Sequence, residues 1–92
     1  MSNDKVILAF LNGKNAHTPT RNITSGYSTY KGQTLKTNGE ELINYSTRIA
    51  YHKNGMLFLN VSKYSSTTSH IQSKIRRLAE DLGFKIVEYK GI

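Results

Sequence analysis

The sequence predicts an α+β fold: a short N-terminal helix, an antiparallel three- to four-stranded sheet of hairpins, a C-terminal helix packed on one sheet face, and a short final strand. Three observations predict it. Two Asn-Gly dipeptides, Asn38-Gly39 and Asn54-Gly55, each lie between short strand-like runs; Asn-Gly favours a two-residue hairpin turn because both central positions need positive φ. Ile71, Ile75, Leu78 and Leu82 recur at i, i+4, i+7 and i+11, one helical stripe. After Gly83 the run Phe84-Lys85-Ile86-Val87-Glu88-Tyr89 reads as a strand. Strands followed by a helix and a strand imply helices on one face of a sheet.

Residues 3–13 read as the first helix. Ser2 or Asn3 caps it, Asp4 suits the first turn, and Gly13 ends it. Its apolar residues Val6, Ile7, Phe10 and Leu11 share a face. A helix of about nine residues is unstable alone and must dock on the rest. From Asn12 to Thr34 the chain is polar, punctuated by Pro19, Gly26 and Gly32. This stretch reads as an irregular loop, with a mobile part at Lys14 to Thr20 and an irregular strand around Ile23 to Tyr30. Long loops in small domains are often functional.

In the first hairpin Lys36 is expected to face Glu41 and Leu35 to face Leu42. In the second, His52 faces Leu57, Tyr51 faces Phe58 and Ala50 faces Leu59. Strict alternation then puts Arg48, Ala50, His52, Leu57, Leu59 and Val61 on one face. Ile49, Tyr51, Lys53, Met56, Phe58 and Asn60 share the other. Both faces are largely apolar, so either both are covered or one is a partner surface. For the C-terminal helix, Ser69-His70-Ile71-Gln72 fits a capping box and Gly83 a left-handed C-cap.

At 92 residues the chain reads as one small domain over 1–92, with its irregular loop at 12–34. Thirteen Lys and Arg against six Asp and Glu leave a formal charge of +7, which favours polyanionic partners. No apolar run approaches the ~18 residues of a membrane span, and the first residues lack a secretory pattern. Cysteine is absent, which removes disulfides, thiol catalysis and thiolate metal sites. A cytoplasmic protein without membrane contact is expected.

The densest unusual segment is Lys63-Tyr64-Ser65-Ser66-Thr67-Thr68-Ser69-His70. Five consecutive hydroxyl residues lead into a helix N-terminus, where backbone N–H groups and the dipole favour anions. Lys63, Ser66, Thr67, Thr68, Ser69, His70, Lys74 and Arg77 are therefore candidate phosphate contacts. Plain capping and turn formation explain the hydroxyls equally well. Tyr51 and Phe58, with Lys53 and Met56 beside them, form a candidate partner surface for stacked bases, a core pair, or a homodimer seam. Arg21, Tyr27 and Tyr30, with Lys31, interleave aromatic and basic groups in the loop. No glycine-rich nucleotide cradle, metal-ligand spacing or nucleophile motif is present. Glu40 and Glu41 point to opposite faces of a strand. No enzyme activity, metal or cofactor is expected.

The segment Tyr45-Ser46-Thr47-Arg48-Ile49-Ala50, the Asn-Gly turn after it, and Asn60 to Gln72 together resemble small bacteriophage proteins of an uncharacterised domain family. Those carry a tyrosine followed by Ile-Ala and a Lys-Tyr-Ser-x-Thr-Thr-Ser-x-His segment before a basic helix. The loop at 12–34 departs from that pattern. The resemblance implies a small accessory protein of a phage or mobile element, working in the host bacterial cytoplasm. The leading expectation is nucleic-acid binding, to DNA or RNA, through the basic, hydroxyl-capped C-terminal helix. One alternative is an anti-defence, anti-CRISPR-like inhibitor bound to a host nuclease or its nucleoprotein complex. Another is a homo-oligomeric structural protein that uses the hairpin face.

Overall fold

The computed structural model describes residues 3–25 and 27–91, the side chain of Ser25 excepted. Ser2, one of the two expected caps, and Gly26, one of the expected breakers, lie outside the described residues. The elements in chain order are α1 (Asn3–Leu11), β1 (Asn15–His17), β2 (Arg21–Ser25), β3 (Ser28–Gly32), β4 (Leu35–Asn38), β5 (Glu41–Asn44), β6 (Thr47–Lys53), β7 (Met56–Asn60), α2 (Ser66–Asp81) and β8 (Ile86–Tyr89). The α+β class is as the sequence predicts, but the sheet is larger. Six strands run in the order β1-β4-β5-β6-β7-β8, and β2 pairs with β3 in a separate ribbon. All neighbours are antiparallel except β7 and β8. That parallel pair needs a crossover connection, and α2 supplies it.

Both helices pack on one sheet face. Val6, Ile7, Phe10 and Leu11 of α1 join Ile71, Ile75 and Ala79 of α2 over Leu35, Leu42, Ile49, Ala50, Leu57 and Leu59. The apolar face expected of α1 is the one buried. Burying each such large side chain contributes about 1.5–3 kcal/mol, which holds a helix too short to persist alone. His52 reaches into the same layer. Its ring stacks on Phe10 at 4.5 Å, and its Nε2–H donates to the Phe10 carbonyl at 2.8 Å, at the C-terminal end of α1.

Both helices stop by the same device. Gly83, at φ +82°, lets its N–H donate to the Glu80 carbonyl while Phe84 N–H donates to that of Ala79. Gly13, at φ +73°, does the same for α1, with donors Gly13 and Lys14 to Phe10 and Ala9. These bonds satisfy carbonyls that a helix end otherwise leaves open. Gly83 therefore caps as expected. At the other end of α2 the expected capping box is not formed. Ser65 is the N-cap, accepting from Thr68 N–H, so the helix begins four residues before the expected start. Gln72 instead donates to the carbonyls of Asn60 and Ser62. Leu82, expected on the buried stripe, is 53% exposed, and Ala79 takes the inward position.

The second hairpin has the expected register, with Tyr51 opposite Phe58 and His52 opposite Leu57. Asn54 and Gly55 both take positive φ. The first hairpin does not: Thr37 faces Leu42 and Lys36 faces Ile43. Only Gly39 of its turn has positive φ, while the Asn38 carboxamide accepts from the N–H groups of Glu40 and Glu41. That side-chain cap lengthens the turn and slides the pairing.

Strict alternation also breaks in β6. A bulge lets Leu42 face Ala50 and Ile43 face Arg48, leaving Ile49 as the extra residue. Ile49 and Ala50 are both fully buried as a result, and Arg48 joins the face of Tyr51.

The expected irregular loop at 12–34 is largely ordered pairing. Asn15–His17 forms an edge strand on β4, and β2 with β3 makes a ribbon in which Ile23 faces Tyr30. Thr18 fastens the base of that ribbon. Its N–H donates to the Leu35 carbonyl at 2.9 Å, and its hydroxyl accepts from Thr34 N–H at 3.1 Å. The molecule measures 40 × 26 × 20 Å.

Candidate nucleic-acid interface

The helices cover one side of the sheet, and among the described elements none packs on the other. Register places the residues of this open face. Tyr51, Phe58 and Val87 lie in one row across β6, β7 and β8. Lys36, Ile43 and Arg48 form a second row across β4, β5 and β6. Lys53 pairs with Met56 at the hairpin end. Tyr89 shares the parity of Val87, and Lys85 precedes β8 on the same parity.

The aromatic side chains of this face hold one another. Tyr51 and Phe58 stack with centroids 4.9 Å apart and planes 5° from parallel, and Tyr89 leans on Tyr51 at 5.5 Å. The Arg48 guanidinium sits 4.2 Å over the Tyr51 ring, a cation–π contact. It also pairs with Glu41 at 3.1 Å, and the hydrogen bond to that carboxylate holds Arg48 still more firmly protonated. Burial pushes the Tyr89 phenol above its ordinary range, and its hydroxyl donates to the Arg48 carbonyl. The rings are half-buried by their neighbours. Among the described residues the face thus carries a fixed aromatic platform with Lys36, Arg48, Lys53 and Lys85 around it, against the single carboxylate of Glu41.

The helix-borne candidates are distributed otherwise. Lys63, Ser66, Thr67, Ser69, His70 and Arg77 are exposed. Thr68 is not: it is buried, and its hydroxyl donates to the Asn44 side-chain oxygen at 2.7 Å. As a phosphate contact Thr68 is therefore corrected to a core anchor. Lys74 is engaged by Asp4 of α1 at 2.7 Å, and neighbouring Arg76 by Glu88 of β8. His70, Lys74 and Arg77 do share one helix face, but carboxylates from two other elements offset much of the charge along α2. That face also looks away from the aromatic platform, across the thickness of the sheet.

Of the proposed partner surface, Tyr51, Lys53, Met56 and Phe58 come together on the open face. Arg21, Tyr27 and Tyr30 lie on the ribbon, with Tyr27 fully exposed at its turn. Sequence reasoning missed Arg48, which the bulge brings round, and Tyr89 and Lys85, which arrive through the parallel strand. Alternation within 84–89 marked Lys85, Val87 and Tyr89 as one face, but gave no sign of their neighbour. Among the described residues no group of three or more His, Asp or Glu is placed to hold a metal ion, and no helix is long and apolar enough to cross a membrane. Comparison of the chain with protein-family models, with characterised proteins and with solved structures gave no match.

Proposed function

We propose that this protein binds single-stranded nucleic acid on the open face of its sheet. The observation that carries the reading is the stacked Tyr51–Phe58 pair, extended by Tyr89 and surrounded by four cations and one carboxylate. Unpaired bases present π faces, and stacking on an aromatic side chain contributes about 1–3 kcal/mol per base. A duplex hides those faces, so the platform favours single strands. Lys36, Lys53 and Lys85 reach phosphates beside the stacked bases and make binding salt-dependent. The overall charge of +7 supports the same polarity of partner.

Titration of labelled single-stranded and duplex DNA and RNA at ~50 and ~200 mM salt tests this. Single strands are expected to bind more tightly, with affinity falling steeply with salt and falling again in Tyr51→Leu and Phe58→Leu. Equal affinity for duplex, or binding indifferent to both substitutions, refutes it. The accessory role in a phage or mobile element that the resemblance implies belongs to this proposal. The anti-defence reading uses the same half-buried rings against a host nucleoprotein. Recovery of a host nuclease that survives nuclease treatment of the lysate favours that second reading.

A further inference from the structure

Three of the chain's six tyrosines converge on a second place, apart from the platform. Tyr30 of the ribbon, Tyr45 of the β5–β6 turn and Tyr64 ahead of α2 line a cleft of about 360 Å³, with Asn44, Ser46 and Ile23 among its other walls. This volume lies within the range of small-molecule sites. These residues are 45%, 39% and 37% exposed, so the fold leaves much of their surface uncovered. Each is nevertheless held. Tyr30 pairs across the ribbon with Ile23, and the Tyr64 hydroxyl accepts from the Asn60 side-chain amide at 2.9 Å. Tyr45 is a bulky residue at φ +57°, a conformation such residues rarely take, and its N–H donates to the Thr34 carbonyl.

Among the described residues the walls of this cleft carry no acidic or basic side chain, only aromatic, aliphatic, hydroxyl and amide groups. Charge stands on either side instead. The adjoining depression that shares Asn44 and Tyr45 contains Arg21. The one that shares Tyr64 and Ser65 contains Lys63 and His70. A neutral aromatic slot between two cationic flanks matches the alternation of a nucleic-acid strand, base between phosphates.

We infer that this cleft receives one nucleobase, turned out of a single strand and stacked against tyrosine, with its flanking phosphates directed to Arg21 on one side and Lys63 on the other. The inference rests on the single-strand reading for the source of the base, but not on the residues of the platform. The walls offer hydroxyl partners to base edges and no charge selective for one base, so pyrimidines and purines are both accepted. Asn44 contributes as a wall rather than as a reader, because its amide already donates to the Thr34 carbonyl and its oxygen accepts from Thr68.

Nuclear magnetic resonance of the intact protein, titrated with adenosine and uridine monophosphates and then with a short single-stranded oligonucleotide, tests the site. Both mononucleotides are expected to shift the ring resonances of Tyr30, Tyr45 and Tyr64, independently of any shift at Tyr51 on the platform. Tyr30→Leu and Tyr45→Gly, the latter retaining the backbone conformation, are expected to weaken oligonucleotide binding about 5- to 150-fold. Tyr30 lies on the ribbon outside the main core, so its substitution leaves the melting temperature unchanged and isolates binding from folding. Oligonucleotide binding lost in Tyr51→Leu but intact in both cleft variants overturns the inference and leaves the platform reading standing. Loss in the cleft variants alone supports the cleft and overturns the platform. Tyrosine shifts produced by a monosaccharide or an apolar peptide, and by neither nucleotide, overturn the inference as well.

Discussion

Asn60 is the side chain on which the end of the sheet depends. It is 1% exposed, and its amide donates to the Arg48 carbonyl at 3.1 Å and to the Tyr64 hydroxyl at 2.9 Å. Its oxygen accepts from the N–H groups of Ser62 at 3.0 Å and Gly91 at 3.2 Å. Asn60→Ala removes all four. At about 0.5–1.5 kcal/mol net per bond the sum is roughly 2–6 kcal/mol. The Arg48 carbonyl keeps the Tyr89 hydroxyl and Gly91 N–H keeps that of Ser62, which places the loss in the lower part, about 2–4 kcal/mol. A domain of this size has roughly 5–14 kcal/mol in all, so the variant loses a large share. Urea unfolding followed by circular dichroism measures it directly, and the melting temperature is expected to fall by roughly 8–30 °C. Tyr64→Phe, which withdraws one acceptor only, is expected to cost no more than about 1 kcal/mol. A loss below about 1 kcal/mol for Asn60→Ala, or one matched by Tyr64→Phe, refutes the hub role.

Thr68→Val keeps the shape of the side chain but removes its bonds to Asn44 and Ser65; denaturant titration is expected to show a loss of about 1–3 kcal/mol, since the Asn44 oxygen is left buried. Tyr89 gives a pH signature. Burial raises its phenol above the ordinary value of 10.0, so above that pH the unfolded chain ionises before the folded one. Stability present below pH 10 is therefore lost as pH rises through the folded value, and the decline is smaller in Tyr89→Phe. Ultraviolet absorbance of tyrosinate, recorded across the alkaline range, is expected to show a late-titrating component that this variant lacks. Asp4→Asn releases Lys74 from its ion pair. Because α2 faces away from the platform, oligonucleotide affinity at fixed salt is expected to change less than about threefold, under 0.7 kcal/mol; a tenfold gain moves the interface to the helix.

The two Asn-Gly turns explain how far local rules reach. At Asn54-Gly55 the backbone preference decided the register by itself, and the Tyr51–Phe58 pair could be read in advance. At Asn38-Gly39 the same dipeptide met an Asn side chain that holds two backbone N–H groups, and the strands slid. The bulge at Ile49 was equally hidden, since alternating apolar residues on both faces leave no contrast to reveal an inserted one. That is why Arg48 was assigned to the wrong side. Strand β1 offers three residues and a single buried apolar side chain, too little for a periodic signal. The ion pairs along α2 were hidden for a different reason: Asp4 and Glu88, which engage Lys74 and Arg76, come from remote parts of the chain. Charge along one helix could be read from the sequence, whereas its compensation required the tertiary structure.

Thr18 and Thr34 are hydrogen-bonded side by side, so the excursion between them begins and ends at fixed points of the sheet. Once such ends are secured, doubling the length of the intervening chain costs only about 0.6 kcal/mol. A lineage can therefore lengthen, shorten or exchange this finger without renegotiating the sheet. The same junction offers a place to graft a foreign epitope or tag while the scaffold stays intact.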